Sequence, residues 1–224
     1  MSRTLCPAWL VAGTDTEIGK TLAACALLHL LRERHARVVG AKPVSAGAGK
    51  GGVNEDVARL RAASSLAVPS ELDNPYALEQ PISPHAAARR YGTRIDLARI
   101  ADAVRALREQ ADAVVVEGVG GLLVPLSTQE DGGDLARLLR LPVILVVGLR
   151  LGCLNHALLT QEAIAARGLP LAGWIANRID PSMLAPEDNV ELLRARLRAP
   201  CLGVIEHMPR PDPAAAARQL LWSQ

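Results

Sequence analysis

The string Gly13-Thr14-Asp15-Thr16-Glu17-Ile18-Gly19-Lys20-Thr21 constrains this chain more than any other feature. It lies between an apolar run, Ala8 to Ala12, that reads as a strand and a stretch, Gly19 to Arg34, that reads as a helix. That helix is apolar nearly all round its first three turns, so it is expected to pack deep against a sheet. Strand, glycine-bounded turn and helix start are the setting in which backbone N–H groups and the positive end of a helix cradle phosphate. There Lys20 would reach the outer phosphates and the Thr21 hydroxyl would ligate Mg²⁺. The common form of the string has four residues between its glycines. Here five separate Gly13 from Gly19, and Thr14 takes the usual place of the first glycine.

The rest of the chain repeats the alternation. Val38 to Ala41, Ala113 to Val116, Val143 to Val147, Leu171 to Ala176 and Leu202 to Ile205 read as further strands, several of them continuously apolar. Continuous apolar runs are the mark of strands buried on both faces of a parallel sheet. Helices are predicted from the cap Ser83-Pro84, from Leu97 to Gln110 behind Asp96, and from Cys153 to Arg167, closed by Gly168 and Pro170. Pro186 to Arg198 and Pro213 to Leu221 complete the set. The order predicts a doubly wound α/β fold: a mostly parallel sheet with helices on both faces, a single nucleotide-binding domain over residues 1–224. The glycine-rich stretch Ala46 to Asn54 is the candidate mobile loop.

Composition removes other classes. Pro142 to Leu149, the longest clean apolar run, is far short of the ~20 residues of a membrane span. Asp15 and Glu17 interrupt the N-terminal apolar stretch before any signal-peptide pattern completes, so a cytoplasmic protein is expected. There is no Phe, and a net charge of +2 offers no basic footprint, which argues against nucleic-acid binding. Cys6, Cys25, Cys153 and Cys201 lie too far apart for a metal pair and are expected to be reduced.

Lysines are rare: Lys20, Lys42 and Lys50. Lys42 ends the second strand, and ligands of open α/β sheets bind outside the carboxyl ends of strands, so Lys42 should share a crevice with Lys20. Glu117 ends the strand Val114 to Val116, where an acid commonly serves the Mg²⁺ of a bound nucleotide. Gly118-Val119-Gly120-Gly121 follows and allows close backbone approach to a ligand. Asp56 is a second candidate metal ligand, against the strong alternative of a helix-cap residue, since Asn and Asp are frequent caps. Asn177, at the end of Trp174 to Ala176, could read a purine edge or simply turn the chain.

Taken in order, these pieces resemble the dethiobiotin synthetases. The resemblance rests on Gly13 to Thr21, Lys42-Pro43-Val44, Asn74-Pro75-Tyr76, Ser83-Pro84-His85, Glu117 to Gly121, Pro142 to Gly148, Leu151-Gly152-Cys153-Leu154-Asn155-His156 and Gly173 to Asn177. It implies a phosphate-loop NTPase-like fold and a ligase that forms a ureido ring from 7,8-diaminopelargonate, CO₂ and ATP. It implies ATP held by Thr16, Glu17, Ile18, Gly19, Lys20, Thr21, Leu22, Asp56, Glu117, Gly118, Val119 and Gly120, with adenine near Asn177, Arg178, Glu206, His207 and Met208. Mg²⁺ would be held by Thr21, Asp56 and Glu117. Catalysis would fall to Lys20 and Lys42, and substrate contacts to Thr16, Lys42, Ser45, Leu151, Gly152, Cys153, Leu154 and Asn155. The segment Leu151 to Asn155 would come from the partner of a homodimer. Carbamate and γ-phosphate are both anions, and two unit charges about 4 Å apart repel by roughly 4 kcal/mol at an effective dielectric near ~20. Two lysines and a divalent cation are suited to cancel that repulsion. In two places the sequence departs from the family pattern. Serine normally stands directly before the glycine of the Lys-Pro-Val string, whereas here the order is Ser45-Ala46-Gly47, and Glu206 stands where proline is familiar.

Two other classes compete. A nucleotide-dependent switch of the same superfamily binds ATP to change partners, and its loops often carry an additional lysine near the first glycine; Ala12 to Ile18 has none. A catalytically silent interaction domain would have no need of Lys20, Thr21, Lys42, Asp56 and Glu117 together.

Overall fold

The structure is a computed structural model that describes residues 5–48 and 52–222. Lys50 and the middle of the glycine-rich stretch Ala46 to Asn54 lie outside the described residues. A six-stranded parallel sheet forms the frame. Its strands are β1 (Ala8–Gly13), β2 (Val38–Ala41), β5 (Ala113–Gly121), β6 (Val143–Gly148), β7 (Leu171–Asn177) and β8 (Cys201–Ile205), in the order β2-β5-β1-β6-β7-β8. β3 (Val44–Ala46) and β4 (Tyr76–Leu78) pair separately, also in parallel.

Nine helices among the described residues cover the sheet. They are α1 (Lys20–Arg32), α2 (Glu55–Ala63), α3 (Ser70–Asp73), α4 (Pro84–Arg90), α5 (Leu97–Gln110), α6 (Gly132–Leu139), α7 (Cys153–Ala166), α8 (Pro186–Arg196) and α9 (Pro213–Ala217). Alternate residues of the strands face opposite layers. Val11, Ile144 and Val146 pack with Ala24, Leu27 and Leu28 of α1 and Ala216 of α9. On the other face Leu10, Val114 and Val116 pack with Ile100, Leu107 and Leu135, and Leu145 and Val147 pack with Ala157 and Leu193. With helices on both faces, all polar chemistry is driven to the strand ends.

The six principal strands lie where the apolar runs predict them, and β5 continues past Val116 to Gly121. Five elements carry no strong sequence signal: α2, α3, α6, β3 and β4. Each is short, and their helical apolar stripes span three turns at most. α2 begins where Asn54 accepts hydrogen bonds from the Asp56 and Val57 amides, and α6 begins with a reciprocal Asp131–Asp134 capping box. The C-terminal helix is shorter than expected, because Leu221 N–H donates to Leu202 O at 2.7 Å and draws the chain back to the sheet edge. Ser83 occupies the cap position ahead of Pro84 but makes no side-chain capping bond. The four cysteines are free thiols. Among the described residues no helix is long and apolar enough to cross a membrane.

Candidate active site

The loop between β1 and α1 is shaped by Gly19, which has a φ of 82°. A side chain there would stand 2.0 Å from Asn177 Nδ2, so both conformation and space require glycine. Asn177 donates from that amide to the Ile18 carbonyl at 2.9 Å, tying the loop to the end of β7. Asp15 accepts the Thr16 N–H at 2.7 Å and pairs with Arg150 beyond β6. α1 starts without a side-chain cap and without an acid in its first turn, an arrangement that suits an anion at its N-terminus.

Parallel register sets the next contact. Ala41 of β2 is level with Val116 of β5, so Lys42 and Glu117 leave the sheet side by side. Lys42 Nζ donates to Glu117 Oε1 at 2.5 Å and to Asp56 Oδ2 at 2.9 Å. Thr21 Oγ1 donates to the same Glu117 oxygen at 2.9 Å. The backbone around Lys42 is fixed from behind: its N–H donates to Asp73 O at 2.8 Å, and Asn74 Nδ2 donates to its carbonyl at 2.6 Å. Asp73 is in turn held by both arms of Arg61, at 2.6 and 2.7 Å.

Burial makes these charges consequential. Lys20, Lys42 and Glu117 are all buried. Burial pushes the Lys20 ammonium down to about 8 against the attraction of Glu117, and the Lys42 charge adds to the fall. Lys42 goes the other way. Burial alone would lower it, but the Glu117 and Asp56 charges and hydrogen bonds together hold it above its ordinary value. Burial would raise the Asp56 carboxyl, yet Lys42 holds it below its ordinary value.

These groups line one cavity of about 880 Å³ at the carboxyl ends of the strands. The cavity brings together Thr16, Glu17, Gly19, Lys20, Thr21, Leu22, Lys42, Asp56, Glu117, Val119, Gly120, Asn177, Arg178, Glu206, His207 and Met208. Ile18 is buried beneath the loop and contributes its carbonyl to Asn177. Gly118 lines a smaller apolar cavity of about 30 Å³ behind Glu117. Two expected substrate groups stand elsewhere. Ser45 is fully buried, bonded to Asn74 at 3.1–3.2 Å, and absent from the cavity wall, which Ala46 forms instead. The displaced serine thus points into the packing between β3 and Asn74. Leu151 to Asn155 is also absent from this cavity; Leu151 is 96% exposed, and Asn155 lines a separate surface depression.

Glu117 Oε2 is buried and has no hydrogen-bond partner. With Thr21 Oγ1 and Asp56 it forms an all-oxygen donor set of the kind that suits Mg²⁺, which takes one or two carboxylates and completes its shell with water and phosphate. Among the described residues no group of three or more His, Cys, Asp or Glu could hold a metal by itself. Residues that sequence reasoning passed over include Arg59, Pro81, Ile82 and Val124 in the wall, and Asp73, Arg61 and Arg150 behind it. Only the topology brings them to the site.

Fold and site together define a phosphate-loop nucleotide-binding protein of the parallel α/β class. A family model described as an AAA domain matches residues 8–215. Proteins named ATP-dependent dethiobiotin synthetase BioD are 59% identical over 216 residues in Aromatoleum aromaticum, covering 95% of this chain and 96% of the relative, and 57% identical over 210 residues in Ralstonia nicotianae, covering 92% of each. The chain belongs to the ATP-dependent dethiobiotin synthetase family. Among solved structures, chloroplast FtsY from Physcomitrella patens matches 97% of this chain with a TM-score of 0.57 at 16% identity. The chain spans 65% of that protein's length, and the likeness is one of fold.

Proposed function

We propose that this enzyme, an ATP-dependent ligase of biotin biosynthesis, closes the ureido ring of dethiobiotin from 7,8-diaminopelargonate (7,8-diaminononanoate), CO₂ and ATP. The observation that carries the reading is the convergence of Lys20, Thr21, Lys42, Asp56 and Glu117 on one cavity in a chain with this family membership.

One amine of the substrate attacks CO₂ and loses a proton, giving a carbamate. A carbamate oxygen then attacks the γ-phosphorus of ATP, ADP leaves, and a carbamic-phosphoric mixed anhydride forms. The second amine attacks the activated carbonyl, phosphate departs, and the five-membered ring closes. Lys20 and the α1 N–H groups hold the phosphates. Lys42 faces the carbamate and offsets its charge as it meets the γ-phosphate. Thr16 and Glu17 present backbone groups between substrate and nucleotide, and Asn177 and Arg178, with Glu206, His207 and Met208, border the adenine. Thr21, Asp56 and Glu117 would hold Mg²⁺, which when bound neutralises charge on the β- and γ-phosphates. The position of Leu151, Gly152, Cys153, Leu154 and Asn155 outside this cavity, with Leu151, Gly152 and Asn155 exposed, supports a homodimer in which this segment meets the substrate in the partner's cavity.

Phosphate release tests the reaction class. A synthetase frees phosphate only when diamine and bicarbonate are both present; a nucleotide switch hydrolyses ATP without either, and that result would overturn the reading.

A further inference from the structure

The geometry points to Arg59 as an additional phosphate-binding residue, a guanidinium that leaves its helix partner for the polyphosphate tail of the nucleotide. This inference rests on the reading that the cavity takes ATP.

Arg59 follows Asp56 by three residues on α2, so the two share one helix face. Asp56 meets Lys42 in the site, and Arg59 lines the same cavity as Lys20, Thr21 and Leu22 at the start of α1. That places it where a chain of phosphates running along the α1 N-terminus would pass.

The other cations of the cavity are already engaged. Lys42 is shared by Glu117 and Asp56. Arg178 is held by Glu187 at 2.5 Å and by Glu206 at 3.2 Å. Lys20 donates to the Asp15 carbonyl at 2.8 Å, and in the proposed function it is already assigned to the phosphates. Bound Mg²⁺ and Lys20 leave part of a triphosphate's charge uncancelled.

Arg59 is suited to supply the remainder. It pairs with Glu55 one turn back on α2, and the two side chains are 51% and 78% exposed. Such an exposed pair is weak and readily exchanged. Glu55 is not part of the cavity wall, so it does not follow Arg59 inward. A guanidinium on phosphate makes charge-assisted bonds with a planar fork that matches the oxygens, a stronger contact than the one given up.

The test is calorimetric binding of the Mg²⁺ complex of a non-hydrolysable ATP analogue, without diamine, to the full-length protein. Arg59→Ala is expected to weaken binding about tenfold. Arg59→Lys should recover part of the loss, and AMP, which lacks the outer phosphates, should lose much less. Glu55→Gln should bind the analogue at least as tightly as the wild type, because it frees the guanidinium. Wild-type affinity in Arg59→Ala, with the wild type binding normally, would remove Arg59 and leave the site reading intact. Equal weakening in Arg59→Ala and Glu55→Gln would show that the pair merely supports the helix. A wild type that binds no analogue would overturn both the inference and the reading beneath it.

Discussion

Lys42 Nζ lies 2.5 Å from Glu117 Oε1 and 2.9 Å from Asp56 Oδ2, so one ammonium is shared by two carboxylates. The side chains of Lys42 and Glu117 are 6% and 0% exposed, which makes each the other's principal compensation. Lys42→Gln therefore has two expected effects. Product formation falls by about 10²–10³ while ATP binding without diamine changes little. Stability drops by about 3 kcal/mol because the carboxylates lose their cation, and added Mg²⁺ restores much of it. Lys42→Arg rescues turnover only in part, since a planar fork does not replace a compact ammonium. Product assays paired with thermal melts, with and without Mg²⁺, check both effects. Near-normal turnover in both variants would remove Lys42 from the reaction.

Ser45 and Asn74 separate positioning from substrate contact. Ser45 is fully buried and bonded to Asn74, so Ser45→Ala should cost about 1 kcal/mol of stability and leave the KM for diamine unchanged. Asn74→Ala removes the hydrogen bond to the Lys42 carbonyl, leaves a buried acceptor unpaired, and should cost roughly 1–3 kcal/mol together with a fall in kcat. Steady-state kinetics beside denaturant melts distinguish them. A raised KM for diamine in Ser45→Ala would place that hydroxyl on the substrate after all.

Much of the fold was legible because its strands are buried on both faces and therefore read as apolar runs. The loop Gly13 to Thr21 and the strand-end residues Lys42 and Glu117 were legible for a related reason: a buried sheet leaves only its ends for chemistry. Other parts had no such signal. Whether Ser45 faces the cavity depends on how Asn74 pins the short strand β3, a contact 29 residues away in sequence. Arg59 and Arg61 look alike in sequence, yet one lines the cavity and the other clamps Asp73.

Cys25 gives the stability a pH dependence. Its burial in α1 pushes the thiol up from 9.0 to about 12. Above pH 9 the unfolded chain releases this proton while the folded chain retains it, so stability falls as pH rises through the window from 9 to about 12. The slope from this group is about 1.4 kcal/mol per pH unit. Melting temperatures from pH 8 upward should decline less steeply in Cys25→Ala than in the wild type; parallel curves would contradict this origin.

Subunit mixing tests the shared-site arrangement. If Leu151 to Asn155 serves the partner's cavity, Asn155→Ala and Lys42→Gln impair different sides of one site. Mixing the two weakened proteins under conditions of subunit exchange should raise activity above either alone, because one site of a mixed dimer is then intact. Light scattering should show a dimer. No gain on mixing, despite demonstrated exchange, would place the segment outside the active site.

The most direct test is mass-spectrometric detection of dethiobiotin made from 7,8-diaminopelargonate, ¹³C-bicarbonate and ATP with Mg²⁺. The account predicts a product carrying a single ¹³C in its ring, with one ADP and one phosphate released for each molecule formed. ATP consumed with no labelled ring product, or at a rate indifferent to the diamine, would contradict it.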